Sequence, residues 1–350
     1  MKNRMMKFGV LTGVRRAEVH QRPLPALGDN DILVKLETCN ICTTDYGQWL
    51  GLREHQPFPM AGGHENCGII IEKGSRVRDE LNCGDRVGFS YYYCGECDDC
   101  RQGNTVDCEN LKMGMSDDGY YGFFGFADYK VVNAKFAIKI NKDIPPVWAG
   151  FLEPLATVIQ GMKRINMKPM ENVVVIGAGT MGLINAQVAR IYGGRVIITE
   201  MMARKIERAR MLGFKDVVDV SAKDPVKAVM ELTDGKGADV VILAVGATSA
   251  NSQALEVVKR SRGKILFFAA GYPEPKLTIS SNLIHYKKME LLGTYGASIQ
   301  DFHDSAKFIN GGLVDFGPLL ECSYPLDEIQ KAFETASIPG KYRVTVSLQG

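Results

Sequence analysis

The chain has 350 residues, 45% of them hydrophobic and 23% charged, with a formal net charge of +2. That length exceeds what one hydrophobic core usually organises, so two domains are expected, and the composition excludes a disordered chain. The small net charge gives no electrostatic reason to expect nucleic acid or an anionic membrane as partner.

The first ten residues carry no apolar run of signal-peptide length, and nowhere are there about 18 consecutive apolar residues to span a bilayer. A soluble, cytoplasmic protein is therefore expected. From Lys7 to about Val132, short β-like runs such as Ile32–Leu36 and Gly68–Glu72 are separated by Gly, Pro and Asp. They predict irregular antiparallel β-structure. From Pro154 to Tyr286 the texture changes, with apolar runs at Val173–Ile176, Arg195–Thr199, Val240–Ala244 and Lys264–Phe268. Each is separated from the next by enough chain for a crossover helix, the pattern of an α/β, doubly wound parallel sheet. Beyond Leu291 the spacing predicts helices over Asp301–Asn310 and Leu326–Ala336 and a last strand over Val344–Leu348. The expected division is 1–153, 154–290 and 291–350, the last segment returning to the first domain. No repeat or flexible linker interrupts it, so the domains are expected to be joined directly by helices and to share a cleft.

Candidate chemistry begins with Cys42 and Thr44 in Cys-Asn-Ile-Cys-Thr-Thr-Asp, continues with His64 and Glu65 in Gly-Gly-His-Glu, and resumes at Glu153 in Phe-Leu-Glu-Pro-Leu. A thiolate, an imidazole and a carboxylate from separate segments can supply three zinc ligands and leave a fourth position for water or substrate, the catalytic arrangement. Taken singly, each is ordinary: a buried thiol, or a turn leading into a strand.

Cys94, Cys97, Cys100 and Cys108 form a CxxCxxCx7C cluster. Four thiolates at that pitch suit a closed tetrahedral zinc site with no open position, hence a structural one. Two disulfides or an iron-sulfur cluster are the alternatives, the latter at odds with the common ferredoxin spacings. Glu96, Asp98, Asp99 and Asp107 face Arg101 alone in this lobe, which argues against a zinc module that recognises nucleic acid. Cys39, Cys67, Cys83 and Cys322 read as core thiols, and His20, His55, His285 and His303 as surface or packing residues.

Val173 to Gly182 is an apolar strand running into GxGxxG, with a helix from Leu183 to about Tyr192. Gly177 permits the turn, Gly179 the approach of a pyrophosphate and Gly182 the packing of helix on strand, while Thr180 and Met181 open the helix at the phosphates. The second strand ends at Glu200, where an acid takes the ribose hydroxyls and repels the extra phosphate of NADP, so NAD is expected. Arg204 and Lys205 nearby either face solvent or fold back onto a phosphate.

The order Cys42, GHE, four-cysteine lobe, EPLA and GAGTMG resembles the zinc-containing medium-chain dehydrogenase/reductase family, and within it the polyol branch of sorbitol, threonine and butanediol dehydrogenases. The resemblance spans essentially the whole chain, with Gly122 to Val132 in place of the family's GGFAEY segment. It implies a GroES-like β-rich catalytic domain built from both chain ends around a Rossmann domain, two zinc ions per chain, and a homodimer or homotetramer. It also implies that Cys42 and His64 ligate the catalytic zinc, with Glu65 or Glu153 as third ligand. Alcohol dehydrogenases of this family carry Cys where this chain has Glu153, and polyol members carry Glu, which moves the expected substrate towards a polyol. Gly47 stands where those enzymes have the histidine ending a proton relay. Thr44 keeps the hydroxyl that would take the alcohol proton, with the cofactor ribose and His55 as candidates for the rest.

The expected function is hydride transfer between a secondary alcohol and NAD(H), the substrate being a polyol, a sugar derivative or a hydroxy amino acid. Alternatives are an NADP-linked alcohol or aldehyde reductase and a non-enzymatic, zinc-stabilised nucleotide-binding protein. Tyr46, Trp49, Phe89, Tyr120 and Tyr295 are pocket-lining candidates that could equally be core aromatics.

Overall fold

The first two strands of the chain are joined by a tight turn and pair with each other. In the computed structural model, which describes residues 4–53, 56–111 and 115–349, the strands β1 (Met5–Gly13) and β2 (Arg16–Pro23) form an antiparallel hairpin. They are followed by β3 (Asp31–Asn40), β4 (Glu65–Lys73), β5 (Arg86–Phe89), β6 (Tyr129–Asn133) and β7 (Ala137–Ile140). The chain divides into two units, Met1–Ala156 with Ala297–Gly350, and Thr157–Gly296.

The second unit holds β8 (Asn172–Ile176), β9 (Arg195–Glu200), β10 (Val217–Asp219), β11 (Val240–Leu243), β12 (Lys264–Phe267) and β13 (Glu290–Gly293). All run parallel in the order β10-β9-β8-β11-β12-β13. Strand order reverses at β8, the switch point where such sheets bind ligands beyond the strand ends. The runs Val173–Ile176 and Val240–Leu243 are buried along their length, which is why they read as continuous apolar stretches and not as alternating ones. The edge strands β10 and β13 are short and partly exposed, and neither shows as a strand in the apolar pattern.

The returning segment supplies β14 (Leu320–Pro325) and β15 (Arg343–Ser347) to the first unit. Its sheet runs β14-β15-β3-β4-β5-β7, with β6 pairing β3. Helix Ile299–Asn310 forms close to its expected bounds, whereas the stretch from Leu326 starts as a 3-10 turn and becomes α-helical at Ile329–Ala336. Phe333 of that helix packs edge-on to Phe126 and stacked on Trp49, inside a core with Phe8, Ile32, Leu36, Ile70 and Val346. Among the described residues no helix is long and apolar enough to cross a membrane.

The expectation of four core thiols outside the metal motifs is corrected. Cys39 and Cys67 are buried, but Cys83 and Cys322 are exposed. Cys83 lies in the polar turn before β5, and Cys322 sits on β14 at the end of the sheet, where one side of the strand stays in water.

Candidate active site and metal centres

Cys42 sits where β3 ends and helix Thr43–Trp49 begins, as the N-cap residue. The third helical residue, Asp45, folds back so that its carboxylate accepts the Cys42 N–H at 2.9 Å, the reciprocal half of a capping box. Its other oxygen accepts the Gly63 N–H at 3.1 Å and lies 3.7 Å from His64 Nδ1. One buried carboxylate thus ties the Cys42 and His64 segments together. Gly63 must be glycine: its φ is +85°, and a Cβ there would stand 2.8 Å from the Phe126 backbone nitrogen.

Glu65 opens β4, opposite Asn40 of β3, which is in turn opposite Thr345 of β15. Arg343, two residues before Thr345, projects from the same face and grips Glu65 with Nε to Oε2 at 2.9 Å and Nη2 to Oε1 at 2.5 Å. Nη2 also lies 3.8 Å from Cys42 Sγ. The ligand atoms of Cys42, His64 and Glu65 all lie within 4.8 Å of one another. Glu153 stands outside that trio, its carboxylate accepting the Tyr91 hydroxyl. Burial drives the Glu65 carboxyl up to about 7, against the opposing pull of Arg343, with the Glu153 charge adding to the rise. Burial alone would hold His64 neutral, but the Asp45 carboxylate and the Cys42 sulfur overcome it and raise its pKa well above the usual value. Thiolate, imidazole and carboxylate around a pocket of excess negative charge are the donors a zinc ion takes, so the residues fit the metal.

Thr44 is half-buried in the first helical turn, and its side-chain hydroxyl has no hydrogen-bond partner among the described residues. Gly47 carries no side chain, and a Cβ there would stand in ordinary contact with the Arg53 Cδ, at 3.6 Å. His55 lies outside the described residues. Of the pocket candidates, Phe89 lines a cavity with His64, Asn66, Ser90, Tyr91, Tyr92, Phe123 and Lys130. Trp49 is core, Tyr46 packs against the core, Tyr120 bonds His20 Nδ1 at 2.9 Å, and Tyr295 is 90% exposed. Asp45, Tyr91, Asn66, Lys130 and Arg343 escaped the sequence. Asp45 alone had a signal there, three residues after an N-terminal cysteine; Arg343 is 278 residues from its partner.

In the lobe, the four sulfurs of Cys94, Cys97, Cys100 and Cys108 also lie within 4.8 Å of one another, and all nine cysteines are free of disulfides. The separations are 3.9 Å for Cys94 to Cys100 and 4.0 Å for Cys97 to Cys108. The edge of a tetrahedron with Zn–S bonds of about 2.3 Å is about 3.8 Å. Cys94 is lowered to about 5 by the Asn110 amide and the Glu96 and Cys97 N–H groups, while burial and the neighbouring sulfurs push Cys100 up to about 12. Four thiols this close ionise together only around a cation. The short helix Asp98–Arg101 buries no side chain of its own, so the lobe depends on that clamp.

In the second unit, Gly179 caps helix Thr180–Ile191, and a Cβ on Gly182 would stand 1.9 Å from the Gly177 carbonyl oxygen. Glu200 closes β9, with Oε2 accepting the Ala178 N–H at 2.8 Å and Oε1 accepting the Met201 and Met202 N–H groups at 2.8 and 3.0 Å. Its carboxylate therefore sits under the glycine loop. Arg204 is exposed, whereas the Lys205 ammonium reaches over the loop, 3.9 Å from the place of a Cβ on Gly179. Gly182→Ala is expected to weaken NADH binding by roughly tenfold or more, since the backbone must shift at the cost of 1–3 kcal/mol typical of overpacking, about 1.4 kcal/mol being tenfold. Titration by NADH fluorescence measures this, and an unchanged affinity would separate the loop from dinucleotide binding.

Residues 28–142 match the alcohol dehydrogenase GroES-like domain, and residues 180–311 match the zinc-binding dehydrogenase model. L-threonine 3-dehydrogenase of Edwardsiella ictaluri is 33% identical over 319 residues, covering 89% of this chain and 90% of that protein. A zinc-type alcohol dehydrogenase-like protein of Haemophilus influenzae is 32% identical over 278 residues, 79% of each chain. Among solved structures, a zinc-binding dehydrogenase of Sinorhizobium meliloti bound to NADP is 30% identical, with a TM-score of 0.88 over 98% of this chain and 99% of that one.

Proposed function

This chain belongs to the zinc-binding medium-chain alcohol dehydrogenase family, and on that premise we propose that it oxidises a secondary alcohol of the polyol, sugar-derived or hydroxy-amino-acid class. It is a zinc-dependent, NAD(P)-linked alcohol dehydrogenase. The observation that carries the finer proposal is the meeting of Cys42, His64 and Glu65 within 4.8 Å, with the second carboxylate, Glu153, acting electrostatically on His64 and Glu65.

Cys42, His64 and a carboxylate would hold the catalytic zinc, and Cys94, Cys97, Cys100 and Cys108 the structural one. When bound, the catalytic ion supplies Lewis acidity that lowers the pKa of an alcohol hydroxyl, and the nicotinamide supplies the hydride acceptor. Asp45 orients the His64 ring, as a carboxylate behind a metal-ligating histidine does. Arg343 offsets the charge of Glu65 and leaves the Cys42 sulfur facing a cation on its other side. Thr44 takes the proton released from the alcohol and passes it to water, because the side chain that would continue a relay at position 47 is missing. Tyr91 holds Glu153 by its hydroxyl, which keeps that carboxylate beside the ligands.

Glu65 is our third ligand because its oxygens belong to the trio. Glu65→Gln is then expected to reduce bound zinc by about one ion per chain, while Glu153→Gln keeps the metal and lowers kcat; the reverse pattern reassigns the ligand. For the dinucleotide we retain NAD, since Glu200 places negative charge beneath the adenosine side of the loop. Lys205 over the loop favours NADP as the second choice, and the S. meliloti relative was solved with NADP. A screen of NAD and NADP reduction over polyols, inositols, sugar acids, threonine and simple alcohols tests the whole proposal. Turnover of at least one secondary alcohol, lost on chelation, is expected, and inactivity towards all of them would refute it.

A further inference from the structure

Glu153 is a buried carboxylate near enough to the metal donors for its charge to act on His64, Glu65 and Arg343, yet it stands outside the trio whose ligand atoms meet. An unrestrained carboxylate there would be drawn onto a bound zinc ion, which takes carboxylate oxygen readily and is content with four ligands. It would then fill the position that a substrate needs, and an open site would become a closed one. The Tyr91 hydroxyl opposes this by donating to Glu153 Oε1. A hydrogen bond to an ionised carboxylate is among the stronger ones a side chain makes.

Both partners of that hydrogen bond are fastened to one helix. Ile299–Asn310 sets Phe302 edge-on against the Tyr91 ring, with centroids 5.2 Å apart, and Ser305 donates to the carbonyl of Leu152, the residue before Glu153, at 2.8 Å. Phe302 and Ser305 are three residues apart and so share a face of the helix. The helix is fixed in turn at its start, where Ser298 and Asp301 form a capping box and the Thr105 hydroxyl accepts the Ile299 N–H at 2.8 Å. Thr105 belongs to the cysteine lobe, three residues before Cys108, and Tyr91 stands three residues before Cys94. Hydroxyl and carboxylate are thus held within reach of each other by a frame built on this helix and the lobe.

We infer that Tyr91 is a positioning residue, which holds Glu153 off the catalytic ion and so keeps one coordination position open for the substrate. This role rests on the reading of Cys42, His64 and Glu65 as the ligands, and adds what prevents a second carboxylate from becoming one.

Cobalt(II) exchanged into the catalytic site, with zinc kept in the lobe, tests it without turnover: the visible absorption of the ion reports its ligands, and imidazole titrates the open position. In the wild type imidazole is expected to change the spectrum with saturation. Tyr91→Phe keeps the ring against Phe302 but frees Glu153 to compete, so imidazole affinity should fall by on the order of tenfold, the size expected for losing a hydrogen bond to a charged group. In Tyr91→Phe/Glu153→Gln the affinity should return towards the wild-type value, because the amide that replaces the carboxylate is a poor zinc ligand. Unchanged affinity in Tyr91→Phe, or a loss that persists in the double variant, overturns the inference and leaves the three ligands standing. Glu153→Gln alone, with the Tyr91 ring and hydroxyl intact, should bind imidazole as the wild type does; tighter binding would show that Glu153 already sits on the ion, and the inference fails. A wild type that takes up cobalt in the lobe alone overturns the ligand reading and the inference together. NADH binding and circular dichroism of each variant confirm that the comparisons are made between folded proteins.

Discussion

Replacing His64 by Ala, or Cys42 by Ser, is expected to lower kcat by on the order of 10³-fold, because a site left with two protein ligands loses its metal and with it several kcal/mol of charge stabilisation in the transition state. Metal analysis of either variant should find the four-cysteine zinc retained and the other lost, since the two donor groups are separate. NADH binding should persist, because the glycine loop belongs to a different unit of the chain. Near-wild-type turnover would remove Cys42 and His64 from the proposed site. Loss of NADH binding along with zinc would indicate general misfolding instead, which circular dichroism of the same samples identifies.

Arg343→Ala is expected to destabilise the protein by about 3–5 kcal/mol, the usual consequence of removing one member of a buried ion pair. Glu65 is fully buried and both of its oxygens lean on this guanidinium, so truncation leaves a carboxylate with neither water nor a counter-ion. Chemical denaturation of the metal-free protein measures the loss. The same truncation in a Glu65→Gln background should cost much less, because no charge is stranded. Arg343→Lys should recover little, since an ammonium cannot reproduce the two-pronged contact. A loss within about 1 kcal/mol for Arg343→Ala would show that the pair is not the prop described here.

The parts of the fold and site legible in the sequence share one property, which is short range. The four cysteines span one loop, and their spacing alone brings the sulfurs to zinc-like separations. In the glycine loop, strand, turn and helix follow one another directly, so Gly177, Gly179 and Gly182 carried their geometric reasons with them. The four inner strands of the parallel sheet were legible because burial on both faces demands continuous apolar runs. The edge strands β10 and β13 were not, because three or four residues with one side in water leave no such run. Cys83 and Cys322 were misread for a related reason: residue type predicts burial only on average, and a turn and a sheet edge override it.

By itself the sequence determined the fold class, the zinc lobe, the dinucleotide loop and the list of candidate donors around Cys42, His64, Glu65 and Glu153. Only the tertiary structure decided which of those donors meet, and that Asp45 and Arg343 hold them. The physical reason is register. Thr345, Asn40 and Glu65 align across β15, β3 and β4, and that alignment sets Arg343 against Glu65 from 278 residues away. Strand alignment of this kind is selected by the packing of a whole sheet on its core, which no local spacing of residues encodes.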